Sequence, residues 1–436
     1  MATESSSEVG VDVDQLVWGV VLGAAGAVGA FVFVAVTSYG TKLVYPVTPG
    51  PEPFSGSWHI AAIMTVAGLI VGLIHHFMPA KAEDVFAAVP AGRLDPRPVS
   101  SGVLVAAVSM IGGFAVGPEV PTGMVSAGLA TWIAERCNTP AELRRTNVMA
   151  AVTGTFSGLF TAPLAGAMMG LELAHAQSRA YFRTLLIAFL AAIAGFAVFY
   201  GAQGDKFSPL LPFLNVAPYT LELWHLGVGI LLGFVGTALA LVFGLILWLM
   251  KRLMAPLDHQ PIVRCTLAGL LLGLLGMALP LTLFLGTDGV VVVTRDAAVL
   301  GLALLIAVVF AKMVALAGAL SAGFIGGPIV PWLFIGATAG VAVNLMFPQI
   351  PLAVAVTCLM TAVPAALAPI PLSVGVIVFL IAGLPVTQAI PMFIAGLVAF
   401  VVFQPLAAWV AGKRAQPEPG APSVTAPRHE PELRQR

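Results

Sequence analysis

Two stretches, GFAVGPEVP from Gly113 to Pro121 and GFIGGPIVP from Gly323 to Pro331, share the frame Gly-Phe-x-x-Gly-Pro-x-Val-Pro. The first carries Glu119, the only ionisable residue between Arg97 and Glu135; the second has Ile329 in its place. Glycine lets the backbone leave helical geometry and approach a ligand, and proline suits the start of a helix, where its missing N–H is not needed. Each frame therefore reads as a helix start. Such a start presents unpaired N–H groups and a partial positive charge, so two of them aimed at one point make an anion site. No buried Lys or Arg is required, which avoids both a large desolvation cost and too firm a grip on a passing ion.

A second pair of landmarks follows the frames in the same order at nearly the same spacing. These are Ala162-Pro163-Leu164-Ala165-Gly166 in the first half and Ile370-Pro371-Leu372-Ser373-Val374-Gly375 in the second. The repetition predicts a duplicated chain. Transporters are often built from two such halves in inverted orientation, with the transported species held near mid-membrane between broken helices of each half.

The composition places that duplication in a lipid bilayer. The 436 residues are 59% hydrophobic and 9% charged, with a mean hydropathy of +1.00, far from the balance of a water-soluble domain. Apolar runs such as Trp18 to Tyr39, Trp58 to Met78 and Leu223 to Met250 have spanning length. From Met313 to Gly412 there is no Asp, Glu, Lys, Arg or His. The expected fold is an all-α polytopic membrane protein, with about fourteen membrane segments at roughly 20 residues each. Its 46 Gly and 33 Pro predict many broken or kinked helices. One membrane domain is expected over residues 15–412, its halves at about 15–205 and 220–412. It is flanked by a disordered acidic head, 1–14, and a disordered Pro-rich tail, 413–436. The head lacks the positive charge of a cleaved signal peptide, so the first apolar segment reads as retained. Basic loops and the Lys413-Arg414 pair suit cytosolic termini, which points to a multi-pass protein of the cell membrane.

Zero formal net charge, from 20 basic and 20 acidic residues, gives no reason to expect a nucleic-acid partner. Cys137, Cys265 and Cys358 have no metal-ligand spacing. His75 and His76 close an apolar run, and His175 follows Glu172 by three positions, again without ligand spacing; metal and cofactor sites are not expected. No nucleophile–base pair stands out, which argues against an enzyme.

The residues resemble those of the CLC family of chloride channels and proton-coupled chloride exchangers. GGFAVGPEVPTG is similar to the family's Gly-Arg-Glu-Gly-Pro signature and puts Glu119 on its gating glutamate. AKMVALAGALSAGFIGGPIVP resembles the second signature, a Lys-led helix followed by Gly-Gly-x-Phe-x-Pro, with Lys312 at the Lys and Ile329 at the Phe. FTAPLAGAMMGLELA is similar to the Asn-Ala-Pro-Leu-Ala-Gly segment that runs into an acidic residue, here Glu172. Pro118 replaces the signature Arg and Val120 the following Gly, as in a divergent bacterial branch of ion-transport proteins that has Gly-Pro-Glu. The family's Gly-Ser-Gly-Ile-Pro motif is missing from residues 78 to 86, and its anion-coordinating Tyr from the vicinity of Val386.

The resemblance implies a homodimer whose subunits each carry chloride, or another small anion, through their own pathway. It implies anion binding at Gly117, Glu119, Val120, Gly326, Gly327, Ile329 and Val330, with Glu119 as the gate. A carboxyl buried near anions favours its protonated form, so Glu119 can block the site when charged and leave it when neutral. Glu172 is either a station on a proton path or a structural hydrogen-bond acceptor. Leu173 stands where many exchangers of the family have a second Glu, which favours a passive, proton-gated channel over a proton-coupled antiporter; a permease for a neutral solute is the remaining alternative. Lys312 either snorkels to an interface or tunes the pore field. Asp288, Arg295 and Asp296 read as loop charges.

Overall fold

The computed structural model describes residues 13–46, 50–78, 80–174, 181–204, 210, 214 and 216–414. Sixteen α-helices make up these residues, and no strand occurs among them. The first eight are α1 (Val13–Val44), α2 (Trp58–Phe77), α3 (Val85–Ala91), α4 (Val99–Ile111), α5 (Glu119–Arg136), α6 (Ala141–Leu159), α7 (Pro163–Ala174) and α8 (Tyr181–Gln203). The second eight are α9 (Leu223–Met254), α10 (Pro261–Ala278), α11 (Thr287–Arg295), α12 (Ala297–Ala322), α13 (Ile329–Met346), α14 (Leu352–Leu367), α15 (Pro371–Ala382) and α16 (Ile390–Arg414).

The two sets correspond member by member. Helices α1 and α9 both have 32 residues, α5 and α13 both have 18, and α7 and α15 both have 12. Packing repeats as well: α1 lies against α6 and α8 as α9 lies against α14 and α16. The halves meet through the α2–α10 and α7–α15 pairs.

Only eight of the described helices are long and apolar enough to cross a membrane, fewer than the fourteen segments expected from length alone. Glycine and proline account for part of the difference. Helices α4, α7, α14 and α15 have 12 to 16 residues and stop short of a full span, so their ends fall inside the protein. Other glycines allow close helix approach. In the antiparallel α2–α10 pair, a Cβ at Gly68 would strike the backbone of Cys265, and one at Gly269 that of Met64.

The chain ends need small corrections. Helix α1 begins at Val13, inside the head expected over 1–14, where Asp14 in its first turn suits the helix dipole. Helix α16 runs to Arg414, two residues beyond the expected limit of 412. The remaining head, residues 1–12, the remaining tail, 415–436, and His175 lie outside the described residues. Lys251, Arg252 and Arg264 gather where α9 ends and α10 begins, and Lys81 follows α2 at the same end. The positive-inside rule points to the cytosol for this end.

Candidate functional site

The two frames face each other at the centre of the molecule. The Gly117 N–H donates to Gly327 O at 2.7 Å and the Gly327 N–H to Gly117 O at 2.6 Å, an isolated antiparallel bridge. The rings of Phe114 and Phe324 stack with centroids 3.8 Å apart. Each frame leaves its preceding helix through a glycine with positive φ, +91° at Gly113 and +102° at Gly323, which a side chain would strain. After four further residues each reaches its proline, Pro118 or Pro328, and a helix of 18 residues starts at the next position.

Glu119 is the first residue of α5 and is 1% exposed. Its side chain crosses to the other frame, where the Val330 N–H in the first turn of α13 donates to Oε1 at 2.7 Å. The Oε2 atom is buried without a hydrogen-bond partner among the described residues. Added Cβ atoms at Gly117 or Gly327 would collide with that same oxygen, so the two bridged glycines form the floor under the carboxylate. A carboxyl group thus occupies the N-terminal end of α13, where orphan amides and the helix dipole favour an anion.

The anticipated group divides by role. Gly117, Gly327 and Val330 touch the carboxylate directly. Gly326 packs against Val116 of the opposite frame, so it serves the contact between frames. Ile329, 1% exposed, opens α13 without a charge; Val120 is only half buried and packs against the core. Pro118 and Pro328 stand at equivalent places, and neither can donate an N–H.

Lys312 neither snorkels nor reaches an interface. It is fully buried, and its Nζ donates to the carbonyls of Thr282, Leu283 and Phe284 at 3.1, 2.9 and 2.7 Å, with Leu281 O at 3.5 Å. The ammonium also lies 5.0 Å from the centre of the Phe334 ring. Phe284 has a positive φ of 53°, and its N–H donates to Gly113 O at 3.0 Å. Lys312 therefore locks the segment that holds the start of the first frame.

Glu172 at the end of α7 caps α15. It accepts from the N–H groups of Leu372 at 2.7 Å and Ser373 at 3.1 Å, and from the Ser373 hydroxyl. Of the two roles expected for it, these contacts describe the structural acceptor: a carboxylate at a helix N-terminus joining the two halves. The adjacent Leu173 is buried. In the region lacking the Ser motif, Asp84 caps α3, accepting from Ala87 N at 3.0 Å, and Val386 is 75% exposed. Arg295 and Asp296 form an exposed pair at the surface, and hydrogen bonds from Arg295 hold the Asp296 carboxyl below its ordinary value.

His75, which in the sequence only closes an apolar run, places its Nε2 2.8 Å from Gly323 O, at the first residue of the second frame. Its only signal was its place at the end of an apolar run, which an interfacial histidine shares. Nothing local ties it to a glycine 248 positions away.

Inverted eight-helix halves, broken helices and two helix starts meeting at one buried point define a membrane-transport fold of the inverted-repeat class. The sequence profile of the family described as voltage gated chloride channel matches residues 67–404. The chain belongs to that family, the CLC family. It is 31% identical over 354 residues to the ion-transport protein YfeO of Escherichia coli O7:K1, covering 78% of this chain and 81% of that one. The YfeO protein of Shigella flexneri serotype 5b is 30% identical over 353 residues, with the same shares. Among solved structures, a slow cyanobacterial Cl-/H+ antiporter superposes with a TM-score of 0.76 at 19% identity, covering 92% of this chain and 97% of its own. A CLC-type fluoride/proton antiporter gives a TM-score of 0.67 at 18% identity, covering 91% and 95%. At these identities the structural likeness speaks for the fold.

Proposed function

We propose that this protein carries chloride or another small inorganic anion across the cell membrane, with Glu119 as a protonatable gate. One observation carries the reading: the Glu119 carboxylate sits on the Val330 amide at the start of α13, in a seat that suits any small anion. While charged, Glu119 competes with the transported anion. Protonation removes the charge that holds it there, and the anion can take the seat. Gly117, Gly327 and Val330 form the seat, with Gly326 and Ile329 shaping its walls and Val120 at its edge.

Passive, proton-gated conduction is supported by the inner side of the pathway. Glu172 is engaged as a helix cap and Leu173 offers no second proton acceptor beside it. Proton-coupled antiport is the second reading, and it is at least as well supported by the two solved relatives, both described as antiporters. On that reading the proton that releases Glu119 also crosses the membrane. Homodimeric assembly, with one pathway in each subunit, is part of this proposal and is supported by family membership; its check is the mass of the detergent-solubilised particle.

Purified protein in liposomes, loaded with chloride and monitored for anion efflux and proton movement together, separates the readings. Anion efflux with no accompanying proton movement means a channel, and a fixed proton-to-anion ratio means an antiporter. No flux of chloride, nitrate or fluoride in either mode would refute anion transport and leave the neutral-solute permease.

A further inference from the structure

The two frames are held at their first glycine in different ways. On the first, Gly113 O accepts from the Phe284 backbone N–H, and Phe284 is fixed in turn by Lys312. The Tyr45 hydroxyl adds a hydrogen bond to Gly112 O at 2.8 Å. On the second, the corresponding carbonyl, Gly323 O, is held by the His75 side chain at 2.8 Å. The preceding carbonyl, Ala322 O, accepts from Arg264 Nε at 3.1 Å and from Cys265 Sγ at 3.1 Å. Arg264 is itself steadied by Asp258, its Nη1 lying 2.7 Å from Oδ1. A Cβ at Gly323 would meet both Arg264 Nη2 and His75 Nε2, so the two side chains close on this residue together.

Carbonyl oxygens only accept, so Nε2 of His75 carries a proton in this contact. The last carbonyls of a helix are its negative end, and cationic or donor groups there are favoured. After Gly323 the chain has only four residues before Pro328 and then Ile329, the start of α13. Those residues are buried and pair with the other frame at Gly327. A shift at Gly323 therefore carries forward to the Val330 amide, with little slack between them.

We propose that His75 and Arg264 form a clasp that positions the second frame, and thereby the Val330 amide of the anion seat, from the cytosolic end of α2 and α10. This inference rests on the seat reading above. His75 is a positioning residue in it and does not touch the anion. The clasp is made of side chains from two helices on both terminal carbonyls, whereas at the first frame Gly113 O is held by a backbone hydrogen bond locked by a buried lysine and only Gly112 O by a side chain, Tyr45. The second frame is thus held from the end of the protein where α2 stops and α10 starts.

The test measures chloride affinity by titration calorimetry on purified full-length protein carrying Glu119→Gln, which takes the competing charge out of the seat. Adding His75→Leu removes the donor and should weaken chloride binding about two- to tenfold, the range for one lost hydrogen bond. Adding His75→Gln instead supplies an amide donor of similar reach and should restore most of the affinity. The melting temperature of each variant separates repositioning from unfolding. Arg264→Lys keeps the charge but loses the Nε donor to Ala322 O, and should weaken binding in the same direction; it decides the matter if His75→Leu does not give monodisperse protein. Unchanged chloride affinity in His75→Leu, or in Arg264→Lys serving in its place, overturns the clasp while leaving the seat intact. Absence of chloride binding by Glu119→Gln alone overturns the seat reading, and the clasp as a positioning device falls with it.

Discussion

At the scale of single residues, the asymmetry between Glu119 and Ile329 sets the chemistry. Both frames provide a helix start, but only one provides a group that can hold the anion's place. Glu119 could be singled out in the sequence because an ionisable residue inside so apolar a stretch carries a large desolvation cost. Its partner could not, since Val330 contributes only a backbone amide. Lys312 was equally visible, yet its surroundings were not: the carbonyls of Thr282, Leu283 and Phe284 belong to an irregular segment whose path no periodicity encodes. Lys312→Met should leave those carbonyls without their donor and cost on the order of 3 kcal/mol, read as a lowered melting temperature in detergent. A melting temperature equal to wild type would show that the contacts carry no net stability.

At the scale of helices, the seat depends on two chains of backbone passing close together, which only glycine permits at Gly117 and Gly327. Gly327→Ala places a methyl group where the Glu119 carboxylate lies. Flux should fall by at least about tenfold, the effect of displacing groups by a fraction of an ångström from a preorganised site, and its pH dependence should flatten because the gate no longer fits. Wild-type flux with a wild-type pH profile would show that the carboxylate does not use this floor.

The α7–α15 contact makes a different claim. If Glu172 is a cap, Glu172→Gln, which keeps one acceptor oxygen, should retain transport and proton response while losing about 1 kcal/mol of stability. Measured proton movement that disappears in this variant would mark Glu172 as a relay instead. The frame repeat made the starts of α5 and α13 legible in advance, while the second landmark pair signalled only the duplication. The number of helices long enough to span was not legible in the same way, because hydropathy cannot tell a full span from a half-length helix buried inside the protein.

At the scale of the whole molecule, the duplication suggested by two spaced landmarks extends across both sets of eight helices, most plainly in the matched 32-residue pair α1 and α9 and the matched 12-residue pair α7 and α15. Inversion is what brings the frames together from opposite sides of the membrane, and the Gly117–Gly327 bridge marks their meeting point. Sequence similarity between halves signals such an arrangement only where backbone geometry demands glycine and proline; elsewhere lipid-facing and core positions accept many apolar side chains, and the repeat fades. The same tolerance hides long-range contacts such as that of His75 with Gly323.

The central claim is that the charged form of Glu119 occupies the seat the anion needs. The most direct measurement is the pH profile of chloride efflux from liposomes, for wild type and Glu119→Gln. Wild-type flux should rise as pH falls, since protonation removes the competing charge, and the Gln variant should conduct with little dependence on pH. A Gln variant whose flux tracks pH as the wild type does would contradict the account.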